Sequence, residues 1–195
     1  MFWDNKAFLV KEQVQLLKLA GTYDIFVPES GVQIATAKEE PAGWVKALRF
    51  LVNKLMLPNK VTVYDNDGNR VLTIVKPFTL IRAKVVVLNE NGVSLGYFKS
   101  KILTIGGGFW IYDNSDNKVA EIKGNWVGWN FKFLDNGGNE LGLVTKKWAG
   151  AMKEIFTSAD NYIIELNDNI INQRETAALL LAAGLAIDTV YKEKK

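Results

Sequence analysis

A chain of 195 residues with 48% hydrophobic and 23% charged residues suits one large or two small globular domains, with enough apolar material for a sizeable core. It holds no cysteine and no histidine, which removes disulfides, thiolate nucleophiles, thiolate metal sites and palmitoylation, along with the commonest general base and transition-metal ligand. Any reaction would have to run on carboxylates, lysine or tyrosine, and a formal net charge of +3 is too small to argue for nucleic acid.

The opening stretch, "MFWDNKAFLVKEQ", puts Asp4, Lys6, Lys11 and Glu12 where a secretory signal would be apolar. A cytoplasmic address is expected, with peripheral contact at a membrane as its extension. "AFLVKEQ", "VQLLKLA", "TYDIFV" and "VQIATAK" read as strands, the last two joined by the turn "PESG" at 28–31. The segment "GWVKALRFLVNKLMLP" at 43–58 breaks that rhythm. It sets Lys46, Arg49 and Asn53 on one helical stripe, gives Trp44, Leu48, Phe50, Leu51, Leu55 and Met56 the rest, and stops at Pro58. Such a segment packs over one end of the fold as a helix or an irregular segment, lies in a membrane interface with Trp44 and Phe50 at the headgroup boundary and Lys46, Arg49 and Lys54 facing anionic lipid, or offers a groove to a protein.

From residue 61 a hairpin is written four times: "VTVYDNDGNRVLTIVK", "KVVVLNENGVSLGYFK", "WIYDNSDNKVAEIK" and "NFKFLDNGGNELGLVTK". Each joins two β-branched or aromatic runs through a cluster of Asp, Asn and Gly, residues that accept the positive φ of tight hairpin turns. Tyr64, Leu88, Tyr112 and Leu134 recur at spacings of 24, 24 and 22, the signature of a repeated supersecondary unit. The clusters "DNDGN", "DNSDN" and "DNGGN" alternate Asp and Asn as calcium loops do. They are only five residues long, however, against the twelve of an EF-hand loop with its terminal Glu, and they read as turns. "GGG" at 106–108 has no helix after it to cradle a phosphate and reads as a strand connection. With extra strands at "KILTI" (101–105) and "YIIEL" (162–166), the count reaches roughly a dozen, enough for an antiparallel sheet to curl and close.

A closed barrel needs its interior filled, and the C-terminal "ETAALLLAAGLAIDTVY" can fill it. Its uncharged run, Thr176–Ile187, covers about 18 Å as a helix, short of the roughly 20 apolar residues that cross a bilayer. A helix apolar all round must be enclosed, and its alanines and Gly184 admit close neighbours. The expected fold is therefore mainly β: a single domain over 1–195, closed by twelve antiparallel strands around a central hydrophobic C-terminal helix.

Several short motifs are similar to the phospholipid scramblase family and its LURP-one-related and Tubby C-terminal-like relatives. These are Lys146, Trp148 and Gly150; Lys153, Glu154, Phe156 and Thr157; Ala-Asp-Asn-Tyr at 159–162; and the apolar helix ending at Ile187 and Asp188. "FLVKEQ" and "YDIFVPESG" resemble the family's N-terminal strands. The resemblance implies a twelve-stranded barrel threaded by its terminal helix, and functions that range over calcium-triggered lipid scrambling, phosphoinositide binding and transcriptional roles. Where scramblases carry acidic residues at the ends of their proposed calcium segment, this chain has Ser158 and Asn169, leaving Asp160 and Asn161 as oxygen donors. One carboxylate makes a poor calcium site.

Lysines gather along the later repeats at Lys118, Lys123, Lys132, Lys146 and Lys147. They read either as solvated barrel exterior or as a cationic face for a phosphorylated headgroup. Trp126, Trp129 and Trp148 read as core or as an aromatic partner surface, and Glu154 and Asp160 as capping or ion-pair residues. No constellation performs a reaction, and no metal or cofactor site is expected. The leading expectation is a non-catalytic module for anionic phospholipid headgroups at a membrane surface, carried by Lys46, Arg49, Lys132, Lys146 and Lys147 with Trp44 and Phe50 as anchors. The alternatives are a protein-interaction scaffold without lipid affinity and a phospholipid scramblase proper; nucleic acid is not expected as a partner.

Overall fold

The structure, a computed structural model, describes residues 2–13, 20–48, 56–78, 84–101, 108–125, 128–147 and 161–189. Twelve antiparallel strands close into a barrel: β1 (Ala7–Glu12), β2 (Thr22–Phe26), β3 (Gln33–Glu39), β4 (Asn59–Asp65), β5 (Arg70–Lys76), β6 (Lys84–Asn89), β7 (Ser94–Ser100), β8 (Gly108–Asp113), β9 (Lys118–Asn125), β10 (Asn130–Leu134), β11 (Glu140–Thr145) and β12 (Asn161–Leu166). Neighbours in sequence are neighbours in the sheet, and β1 pairs with β12 to complete the ring, with Ala7 opposite Glu165 and Lys11 opposite Asn161. Among the described residues, closure leaves no strand edge unpaired.

The four repeats form β4–β5, β6–β7, β8–β9 and β10–β11. Their turns show why the Asp/Asn clusters are there. In the first, Asn69 donates its backbone N–H to Asp65 Oδ1 (2.8 Å) and its side-chain amide to Asp65 Oδ2 (3.2 Å). Asp113 with Asn117 and Asp135 with Asn139 repeat the arrangement, and Asn89 does so through the backbone amides of Asn91 and Val93. The carboxylates are engaged in folding their own turns. Gly68, Gly92 and Gly138 hold the positive φ each turn needs, and in the third repeat Asp116 holds it at φ 60. Each hairpin also shifts register by one residue just before its turn.

The interior follows strand alternation: Phe8, Val10, Ile25, Ala35, Ala37, Val61, Val63, Leu72, Ile74, Val85, Val87, Phe98, Phe109, Ile111, Ile122, Phe131 and Phe133 are all buried. Helix α3 (Arg174–Thr189) fills the space they enclose, preceded by the short α2 (Asp168–Ile171). From Ala177 to Asp188 every described α3 residue is buried, so the expected apolar filler is the core. Alanine at β3 and β9 and Gly184 on the helix give the clearance a filled barrel requires. At the end where α3 enters, a 3-10 turn (Phe2–Asp4) packs Phe2 on Phe8, with ring centroids 5.3 Å apart, and Arg174 lies over Trp3.

Of the helix expected over 43–58, Gly43–Leu48 is present as α1, and residues 56–58 are not helical. Residues 49–55 lie outside the described set; Leu57 is buried, and β4 begins at Asn59 directly after Pro58. The strand expectations at 14–20 and 101–105 fall almost wholly outside the described residues as well.

Candidate functional site: a cationic outer face on β7–β11

Strand alternation sends Lys123 and Lys132 outward, and pairing of β9 with β10 sets them directly opposite one another. Like charges in that position repel. Each is tied to a carboxylate of the adjoining row: Lys123 Nζ lies 3.0 Å from Glu121 and Lys132 Nζ 2.8 Å from Glu140. Lys147, just past β11, joins them around an open recess of about 430 Å³, lined also by Gly124, Gly128 and Asn130. Thr145 Oγ1 accepts the Lys147 backbone N–H (3.0 Å) and fixes the turn there.

Lys146 points elsewhere: its Nζ lies 4.2 Å from the centroid of the Trp129 ring, in cation–π range. Trp129 holds a left-handed φ of 45, which bulky residues rarely adopt. Its ring is edge-on to Phe131 at 6.2 Å and tilted over Tyr162 at 5.5 Å, so one side chain links the barrel end to the lysine face. Burial holds the Tyr162 phenol well above the ordinary tyrosine range. Of the three tryptophans weighed near this face, Trp126 and Trp148 lie outside the described residues.

The cationic face extends beyond the lysines singled out from sequence. Lys101 donates its backbone N–H to Gly108, which pairs with Lys123, so Lys101, Gly108, Lys123 and Lys132 form one row across β7–β10. That row spans roughly 14 Å at the usual strand spacing. Lys101 is almost covered, with a side-chain exposure of 7%; its Nζ is 2.7 Å from Glu121 and 5.3 Å from the Trp110 ring. Lys84 and Lys99 add charge over Tyr97, at 3.8 and 5.0 Å from its ring, and Tyr97 stacks on Tyr112. Lys99 and Lys101 stand two residues apart, a spacing that places both on one face of an extended chain.

Glu121 is the node of this face, with Lys101, Lys123 and Lys118 at 2.7, 3.0 and 3.8 Å. Burial pushes its carboxyl up, but the ammonium groups of Lys101 and Lys123 outweigh that and hold it at about 2. Among the described residues no group of three or more His, Cys, Asp or Glu side chains is gathered as metal ligands.

The second set of expected site residues divides differently. Trp44 stands on α1 with 56% of its surface exposed. The Lys46 side chain, Arg49 and Phe50 lie outside the described residues, so the structure brings together Lys132 and Lys147, sets Lys146 over Trp129 instead, and of the 44–50 group shows Trp44 alone.

A closed antiparallel barrel wound on its own C-terminal helix defines the class of fold. The chain belongs to the Scramblase family, whose model matches residues 27–194. Among curated proteins it is similar to "Altered inheritance rate of mitochondria protein 25" of Saccharomyces cerevisiae, 24% identical over 200 residues that cover 83% of this chain and 61% of that protein. Phospholipid scramblase 1 of Mus musculus is 24% identical, covering 70% of this chain and 45% of that protein, and phospholipid scramblase 2 of Bos taurus is 25% identical, covering 70% and 50%. The chain thus spans between about half and three fifths of the length of these relatives. A solved structure of an Arabidopsis thaliana protein aligns over 93% of this chain and 91% of that one, at a TM-score of 0.49 and 11% identity. No helix among the described residues is long and apolar enough to cross a membrane.

Proposed function

We propose that the barrel acts without chemistry of its own, as a module that docks on anionic phospholipid headgroups. The observation that carries this reading is the convergence of Lys123, Lys132 and Lys147 on one open recess, with Lys146 alongside over Trp129. Ammonium groups on a rigid sheet meet phosphate oxygens by charge-assisted hydrogen bonds, and each basic residue near an anionic surface adds about 1 kcal/mol. The names of the mammalian relatives, phospholipid scramblases, supply independent support for a phospholipid ligand. Trp44, exposed on α1, serves as an apolar anchor in this reading, with Lys46, Arg49 and Phe50 as the neighbouring contacts.

Co-sedimentation of the purified chain with neutral and with anionic vesicles tests it. Binding is expected to anionic vesicles alone, and to weaken as salt rises from 0.1 M to 1 M and the Debye length falls from about 10 to about 3 Å. Lys146→Glu combined with Lys147→Glu should abolish it. Equal binding to neutral vesicles, or none to either, sinks the reading; the latter leaves a scaffold whose partner is a protein.

A further inference from the structure

Glu121 is ion-paired with two lysines of the row. Its carboxylate reaches Lys101 and Lys123 at hydrogen-bond distance and Lys118 at 3.8 Å, and only 15% of its side chain is exposed. Lys132, next in the row, is held instead by Glu140. Two ammonium groups of one row therefore share a single carboxylate of the protein, and one of them, Lys123, also borders the open recess.

We infer that Glu121 is a built-in counter-ion that competes with phosphate for Lys101 and Lys123, setting the affinity of this face for anionic ligands. The inference rests on the headgroup reading above and deepens it. The chemistry recognised is a phosphate group, whether in a lipid headgroup or free in solution. A phosphate that enters the row replaces one carboxylate with a group of equal or greater charge and at least two non-bridging acceptor oxygens, so the lysines exchange partners without being left unpaired.

The test compares the wild-type chain with Glu121→Gln and Glu29→Gln. Each variant removes one negative charge. Glu121→Gln keeps an acceptor oxygen for Lys101, whereas Glu29 is exposed at the β2–β3 turn, and β3 stands six strands from β9 in a ring of twelve. Glu121→Gln is expected to bind anionic vesicles about fivefold more tightly than wild type, and Glu29→Gln no more tightly. An equal gain in both variants overturns the inference, since net charge alone then explains it. No gain in Glu121→Gln, where wild type binds and the Lys146/Lys147 variant does not, overturns it while the headgroup reading stands.

If no chain binds vesicles, the headgroup reading fails and titration with inorganic pyrophosphate decides: binding by Glu121→Gln well above wild type supports the counter-ion, and equal or absent binding overturns it. Leu134→Glu tests the same idea without removing Glu121. Leu134 lies directly opposite Glu121 on β10, and a second carboxylate there should weaken vesicle or pyrophosphate binding about fivefold. The equally charged Val32→Glu at the β2–β3 turn should not, and equal loss in both overturns the inference.

Discussion

Gly184 of α3 and Ile164 of β12 meet with no room for one more carbon: a Cβ on Gly184 would stand 2.7 Å from Ile164 Cδ1 and 2.9 Å from Cγ1. Ile164 is fully buried and β-branched, so it cannot swing aside cheaply. Alanine in a helix ordinarily gains about 1 kcal/mol over glycine. Here overpacking, at about 1–3 kcal/mol, opposes that gain, and Gly184→Ala is expected to lower stability by up to about 2 kcal/mol in urea denaturation. An increase in stability would mean that the helix sits more loosely than the structure has it.

Removing the helix should do far more. A chain ending after Asn172 keeps all twelve strands and loses the buried run Ala177–Asp188. It is expected to aggregate or to lack near-ultraviolet dichroism; a monodisperse, folded product on size exclusion would show that the barrel stands without its filler.

The Tyr97 hydroxyl donates to Asp116 Oδ1 at 2.6 Å, and this bond, with burial and the Asp116 charge, raises the phenol to about 12. A raised tyrosine pKa stabilises the fold fully below its ordinary value near 10, and that contribution is lost as pH climbs through about 12. Asp116→Gly keeps the positive φ and removes the acceptor. Tyrosinate absorbance, with Tyr97→Phe as the subtraction, should show the Tyr97 transition falling toward 10; an unmoved transition refutes the bond.

Glu121 gives the opposite sign. Its carboxyl is held at about 2, so its contribution is complete above the ordinary carboxylate range near 4.5 and disappears as pH falls through about 2. Urea midpoints of wild type should therefore drop more steeply over that acid window than those of Glu121→Gln. Parallel profiles would mean that the ion pairs do not persist in solution.

The hairpins were legible because their turns are local. An Asp and an Asn four residues apart, with a glycine or, in the third hairpin, Asp116 taking the positive φ between them, close their own hydrogen bonds whatever surrounds them. The helix was legible through its lack of any polar face, and the closed barrel through the strand count. Lys84, Lys99 and Lys101 were missed, as was the role of Glu121. Which lysines share a face depends on cross-strand register, and the one-residue shifts before the turns at Val87/Leu88, Ile111/Tyr112 and Phe133/Leu134 alter that register where no local pattern announces it. Lys132 and Lys147 were found as neighbours because the last hairpin that separates them is short.

The pairing of β1 with β12 also dictates an order of events during synthesis. The first strand waits for the twelfth, and the helix that occupies the lumen follows both. Until β12 is made, every partial chain is an open sheet with one greasy side bare and two unpaired margins, the kind of species that sticks to its own kind. Closure of the barrel thus waits for β12 and is governed by its longest-range contact, which slows folding.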